Sequence, residues 1–220
     1  KQRALGAGGA PEFLGRLLLR DAGRNLLVAS VGWASGPKHD LVADPPTVAL
    51  LAKSDGRIAA RVQVPGVTFL NDARSTPTGH YVVSSDRVLA LDDSLRVRAT
   101  WEAPAAHRPL GQFIEVGDAL VITTGPGIAA LSADSLQVVW SRRCGRMLAI
   151  DRGMTESGAR YCVTTQGVIR LDGDAGLRPN AYYPLRGTWA ELREGWLLMG
   201  AGTRLRIVAL LERRPAVLVD

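Results

Sequence analysis

Five leucines recur at an interval of forty residues: Leu51, Leu91, Leu131, Leu171 and Leu211. Each closes or nearly closes a short apolar run. These runs begin at Val48, Val88, Ile128, Val168 and Ile207. A turn follows each one: Ser54-Asp55-Gly56, Asp92-Asp93-Ser94, Ala133-Asp134-Ser135, Asp172-Gly173-Asp174 and Arg213-Arg214-Pro215. Beyond the turn stands another β-favouring stretch: Ile58 to Val64, Leu95 to Trp101, Leu136 to Trp140, one leading to Tyr183, and Ala216 to Val219. A period of this length, with a turn held in phase, marks stacked repeats, each unable to bury its own apolar faces.

Two more strands precede each of these hairpins. The first is Leu17 to Arg20, Thr68 to Asn71, Gln112 to Glu115, Met147 to Ile150 and Thr188 to Glu191. The second is Leu26 to Ser30, Tyr81 to Ser84, Leu120 to Thr123, Tyr161 to Thr164 and Trp196 to Met199. Four short strands every forty residues, termed A to D in chain order, is the period of a propeller blade. The chain is therefore expected to be all-β, a β-propeller of five four-stranded antiparallel blades. Residues 1–12 read as a linker and 13–220 as one domain, with units near 13–66, 67–106, 107–143, 144–186 and 187–220.

Composition narrows what such a domain can be. No run approaches the ~18 apolar residues of a membrane helix. The formal charge is +6, almost all from arginine, since Lys1, Lys38 and Lys53 are the lysines. The arginines are scattered, which fits coding bias better than a nucleic-acid stripe, and no basic stretch is interleaved with aromatics. Nucleic acid is thus a poor partner. Cys144 and Cys162 form no C-x-x-C pair and are read as free thiols. With no signal segment evident, a cytoplasmic location is slightly favoured.

Two sets of residues stand out by place. The acids Asp21, Asp72, Glu115, Asp151 and Glu191 each lie at or just after the end of strand A, and would form a ring at one mouth of a channel. Such a ring could hold a cation or act as general acid and base; acids opening polar turns are the plainer reading. The connections from strand D to the next strand A carry Arg108, Arg142, Arg143, Arg146 and Arg186. They share an end of the blade with the connection from B to C, which in the first unit runs long, from Val31 to Pro46, and holds Trp33, Lys38, His39 and Asp40. Long loops in compact domains commonly carry function. This basic end is the expected binding surface for another protein, one with acidic groups. No Ser–His–Asp set, phosphate loop or metal-ligand spacing is legible; His80 and His107 read as unpaired turn or surface residues, and no cofactor is expected. Trp101, Trp140 and Tyr183 fall at related places in strand D and read as packing between blades, while Trp189 and Trp196 flank the last A–B turn.

The stretches Val88 to Trp101 and Ile128 to Trp140 resemble the repeats of quinoprotein-like and WD-repeat-like propellers. The resemblance runs from about Phe13 to the end. It departs from both families: no unit ends in Trp-Asp, Gly79-His80 is the lone Gly-His pair, and the adjacent cysteines of quinone-binding enzymes are missing. It is specific for fold and not for function; the absence of catalytic motifs and the tiling of the chain by repeats point to a non-catalytic scaffold or binding module. The alternative it leaves open is a small carbohydrate-binding or hydrolytic propeller, by likeness to five-bladed glycosidases that use carboxylates in the channel.

Overall fold

In the computed structural model the described residues are 17–30, 45–64, 66–67, 69–150, 160–171, 181–193, 196–210 and 215–219. They form five four-stranded antiparallel sheets, each a simple meander in chain order. Sheet 1 holds β1 (Leu17–Ala22), β2 (Asn25–Ser30), β3 (Thr47–Ala52) and β4 (Ile58–Gln63). Sheet 2 holds β5 (Leu70–Thr76), β6 (Gly79–Ser84), β7 (Arg87–Leu91) and β8 (Val97–Glu102). Sheet 3 holds β9 (Phe113–Val116), β10 (Ala119–Thr124), β11 (Gly127–Ser132) and β12 (Val138–Arg143). Sheet 4 holds β13 (Met147–Ile150), β14 (Arg160–Thr164), β15 (Val168–Leu171) and β16 (Ala181–Tyr183). Sheet 5 holds β17 (Trp189–Arg193), β18 (Trp196–Ala201), β19 (Arg204–Leu210) and β20 (Pro215–Val219).

The chain divides into two compact units. One comprises residues 1–84 and 89–98; the other comprises residues 85–88 and 99–220. Inside each unit, sheets meet face to face through alternate side chains, as a period of two requires. In the first unit Leu27, Ala29, Val48 and Leu50 of sheet 1 share a core with Leu70, Val82, Leu89 and Leu91 of sheet 2. In the second, Val121, Ile128 and Ala130 of sheet 3 meet Cys162, Ile169 and Leu171 of sheet 4. The other face of sheet 4, with Tyr161, Val163 and Val168, meets Leu197, Met199, Val208 and Leu210 of sheet 5. Strands B and C take most of this burial, while β4, β8 and β12 all alternate between exposed and half-buried.

The C–D turn shows why the repeat keeps its phase. Gly56 has φ 72°, and its amide donates to the carbonyl of Ala52 at 2.8 Å. Leu136 takes the same place with φ 56°, its amide donating to Ser132 at 2.9 Å. Leu95, at φ 59°, does likewise from a turn one residue shorter. The β-favouring runs of the sequence start at Leu95 and Leu136. Both instead end the turn, and the strands start at Val97 and Val138. A leucine in the left-handed region costs ~1–2 kcal/mol. Full burial of the side chain, worth ~1.5–3 kcal/mol, offsets it, and both leucines are buried.

The last repeat is also out of step by one. In sheets 2 and 4 the forty-residue leucine and the residue two before it face the preceding sheet. In sheet 5 those places belong to Leu210 and Val208, so the repeat there counts to Leu210. Leu211 lies outside the described residues.

Candidate functional site

In a meander, the end of strand D, the start of strand A and the B–C turn lie at one end of the sheet. Arg108, Arg142, Arg143, Arg146 and Arg186 all occupy that end of the sheets in the second unit. Arg108 follows a short 3-10 turn, Ala105–His107, and its Nε donates to the carbonyl of Ala103 at 2.8 Å, which holds the side chain back along the connection. Arg142 and Arg143 end β12, opposite Ile128 and Gly127. A Cβ on Gly127 would run into the carbonyl oxygen of Arg142, so only glycine lets β11 begin so close to the arginine backbone. The carbonyl of Arg146 accepts from the amide of Thr165 at 2.9 Å, fixing it to the B–C turn of sheet 4.

Arg108, Arg143, Arg146 and Arg186 are exposed, and Arg142 is half-buried. Among the described residues, none of the four exposed arginines has a carboxylate within 4.0 Å. The acids at this end of sheet 2, Asp86 and Glu102, face Arg87 instead, at 3.4 and 3.9 Å. Trp33, Lys38, His39 and Asp40 lie outside the described residues.

The acid series does not hold one register. Asp21 opposes Leu26 and Glu115 opposes Leu120, each one pair before the last pair of its A–B hairpin. Glu191 opposes Leu198, two pairs before the last, which turns it to the other face of the strand. Asp72 opposes Val83, four pairs before the last, after a register shift between Leu70 and Asp72. Asp151 lies outside the described residues.

The environments diverge as well. Asp21 is exposed. Its carboxylate accepts from Lys53 Nζ at 2.6 Å and the Gly23 amide at 2.9 Å, and these bonds hold its pKa below the usual value. The side chain of Asp72 is 2% exposed and meets Arg20 Nη2 and Arg74 Nε, each at 3.3 Å, and the Ala73 amide at 3.0 Å. That cluster ties strand A of sheet 1 to strand A of sheet 2. Among the described residues no group of three or more His, Cys, Asp or Glu is placed to hold a metal ion.

One polar assembly was not legible in the sequence. His80 is buried, not on the surface. Its Nδ1 lies 2.6 Å from Ser75 Oγ, its partner across the A–B hairpin, and its Nε2 lies 3.7 Å from Asp93 Oδ1 in the C–D turn. Burial pushes the imidazole pKa down, against the pull of Asp93 and Asp92. In the neutral ring Nε2 then carries the proton toward Asp93, and Nδ1 accepts from Ser75. A Ser, a His and an Asp do therefore converge. The Asp lies beyond hydrogen-bond reach, however, so the bonded pair of Ser75 and His80 braces the A–B hairpin, with Asp93 a nearby charge rather than part of a relay. Beside it Arg98 Nη2 donates to Tyr81 Oη at 2.9 Å and to the Thr78 carbonyl at 2.8 Å. No spacing motif joins positions 75, 80 and 93; only the strand register brings them together.

The aromatics are placed as packing and rim. Trp140 packs with the core between sheets 3 and 4, and Tyr183 with that between sheets 4 and 5. Trp101 meets the His107 ring at 6.3 Å. Cys144 and Cys162 are buried and form no disulfide, and burial pushes the Cys144 thiol up.

No family model matches the chain, and no curated protein matches it in sequence. Solved structures do match in fold. BamB from Moraxella catarrhalis superposes with a TM-score of 0.57 at 14% identity, over 90% of this chain and 59% of its own. The Pan2 WD40 domain of Neurospora crassa gives 0.57 at 8% identity, over 92% and 64%. The Cps50 (Swd1) β-propeller domain of Myceliophteria thermophila gives 0.58 at 14% identity, over 90% and 71%. The chain thus spans about three-fifths of the length of the first two. At this identity the likeness is one of fold: the sheets resemble those of quinoprotein-like and WD-repeat-like β-propellers. No helix among the described residues is long and apolar enough to cross a membrane.

Proposed function

We propose that residues 13–220 form five consecutive blades of one propeller-type domain, and that it is a non-catalytic scaffold binding another protein. The observation that carries this reading is the set of exposed arginines without carboxylate partners at the D–A end of sheets 3 to 5. Exposed guanidiniums without carboxylate partners keep donors available for acceptors, and carboxylates match their fork geometry. The partner is therefore a protein surface bearing Asp and Glu. The Val31 to Pro46 loop of the first unit, with 31–44 outside the described residues, is a second proposed contact, since it carries Trp33, a residue type enriched at interfaces. The fold is shared with a WD40 domain, which suits a scaffold.

The carbohydrate or hydrolytic alternative needs carboxylates converging on one place. The register of Asp21, Asp72, Glu115 and Glu191 speaks against that.

The test is fluorescence anisotropy with a labelled Asp/Glu-rich peptide, at low and high salt. Binding is expected, weakened at high salt and by the Arg143→Glu/Arg146→Glu double variant. Equal binding by the variant and the parent chain would remove the basic end from the proposal.

A further inference from the structure

Where a sheet of this chain can be followed onto the next one, its following face is closed. In sheet 4 the pairs Tyr161↔Arg170 and Val163↔Val168 set that face. Tyr161, Val163 and Val168 are fully buried against Leu197, Met199, Val208 and Leu210 of sheet 5. In sheet 1 the same places hold Leu27, Ala29 and Val48, equally buried against sheet 2.

In sheet 5 the corresponding pairs are Trp196↔Ala209 and Leu198↔Ile207. These residues are as apolar as their counterparts, yet Trp196 is 50% exposed, and Leu198 and Ile207 are half-buried. Strand alternation puts Trp189 and Leu205 on the same face, each 46% exposed. They flank Gly200, where a Cβ would collide with the Trp189 indole. The missing side chain leaves room for the ring over Gly200. Two tryptophans, two leucines and an isoleucine share this face with Glu191, which opposes Leu198, and form a largely apolar patch of the kind that marks an interface.

The register says what fits there. The same face of sheets 1 and 4 is covered by the preceding face of the next sheet, and a flat apolar sheet face packs best on another sheet, ~10 Å away. The propellers this chain resembles are longer than the span it matches, which is 59 to 71% of their length. We propose that the Trp189–Trp196–Leu205 face of sheet 5 is the seat of a sixth four-stranded blade of the same repeat, encoded beyond residue 220. This inference rests on the blade reading above, and not on the basic end.

The experiment compares the 220-residue chain with the longer product of its reading frame. Acrylamide quenching of tryptophan, sedimentation velocity and thermal melting are read on each, with Trp196→Ser and Leu205→Ser as variants. Circular dichroism confirms that the variants fold. In the 220-residue chain the expected result is a monomer with quenchable tryptophans and a Tm that neither variant lowers. In the longer product the quenching falls, and Trp196→Ser lowers the Tm by several degrees. Tryptophans already protected in the 220-residue monomer overturn the proposal, because the chain then covers its own face. A concentration-dependent dimer lost in both variants overturns it in favour of a second copy. A reading frame with no further repeat, or one whose product leaves Trp196 equally quenchable, overturns it too. Acidic-peptide binding, run in parallel, is unmoved by Trp196→Ser, so a failure here stays distinct from a failure of the arginine surface.

Discussion

Tyr161 and Trp196 hold the same place in consecutive repeats, each on strand B and paired with strand C by the same register. One is fully buried between two sheets, and the other is half exposed. The repeat thus fixes where a side chain points but not what it meets, since neighbours decide that. The difference should appear as energy. Tyr161→Ala is expected to destabilise the second unit by about 3–5 kcal/mol, the cost of removing a buried aromatic side chain and leaving a cavity. Trp196→Ala should stay within about 0.5 kcal/mol, as surface changes do. Urea unfolding followed by circular dichroism measures both. Equal losses would mean that the Trp196 face is covered in solution.

The acids repeat this contrast in charge. Asp72 and Asp21 stand on strand A of neighbouring sheets, yet one is buried with Arg20 and Arg74 and the other is exposed beside Lys53. Removing the buried carboxylate leaves two half-buried guanidiniums without it, which costs about 1–3 kcal/mol. Asp72→Ala should therefore lower the urea midpoint of the first unit strongly. An exposed pair is screened by solvent and by salt, so Asp21→Ala should leave the midpoint where it was. A large effect of Asp21→Ala, or a small one of Asp72→Ala, would reverse the assignment of the buried cluster as the tie between the two strands.

The turns sharpen the comparison further. Gly56 and Leu136 share a left-handed place, but Leu136 also contributes a buried side chain. Leu136→Gly relieves backbone strain of ~1–2 kcal/mol and loses a buried leucine worth ~2–5 kcal/mol. The net expectation is a loss of about 2 kcal/mol, read from the same urea curves. A stabilised variant would show that strain outweighs burial at this turn.

These contrasts mark what a sequence of this kind discloses. Apolar runs and turn residues gave every sheet and its strand order, because a period of two and the chemistry of turns are local properties. The start of strand D was misplaced at Leu95 and Leu136 because a buried leucine reads as strand, and nothing local shows that φ is positive. The last repeat was counted to Leu211 because a pair of adjacent leucines hides a shift of one, which only facing sheets reveal. The acids seemed equivalent because each closes a strand on paper. A bulge at Asp72 and a different hairpin offset at Glu191 moved them apart. Arg108, Arg143, Arg146 and Arg186 were legible as a group because the D–A connections were. That they have no carboxylate partners among the described residues was not, since charge pairing is tertiary.

His80 gives the smallest of these effects, and it tests whether the polar brace is a closed environment. Burial holds its pKa below the ordinary value of 6.5. The unfolded chain therefore takes up the proton first as the pH falls. The stability contributed by neutral, buried His80 is fully present above 6.5, declines as the pH drops below it, and levels off once the folded His80 is itself protonated. Melting curves between neutral pH and mild acid should show this decline in the parent chain. His80→Gln keeps a side-chain hydrogen-bonding partner for Ser75 but cannot titrate, so its Tm should fall less over the same window. The direction carries the test: carboxylates with lowered pKa values, such as Asp21, lose their contribution only at more acidic pH. If His80→Gln and the parent chain decline in parallel, the imidazole is open to water and the brace is not closed.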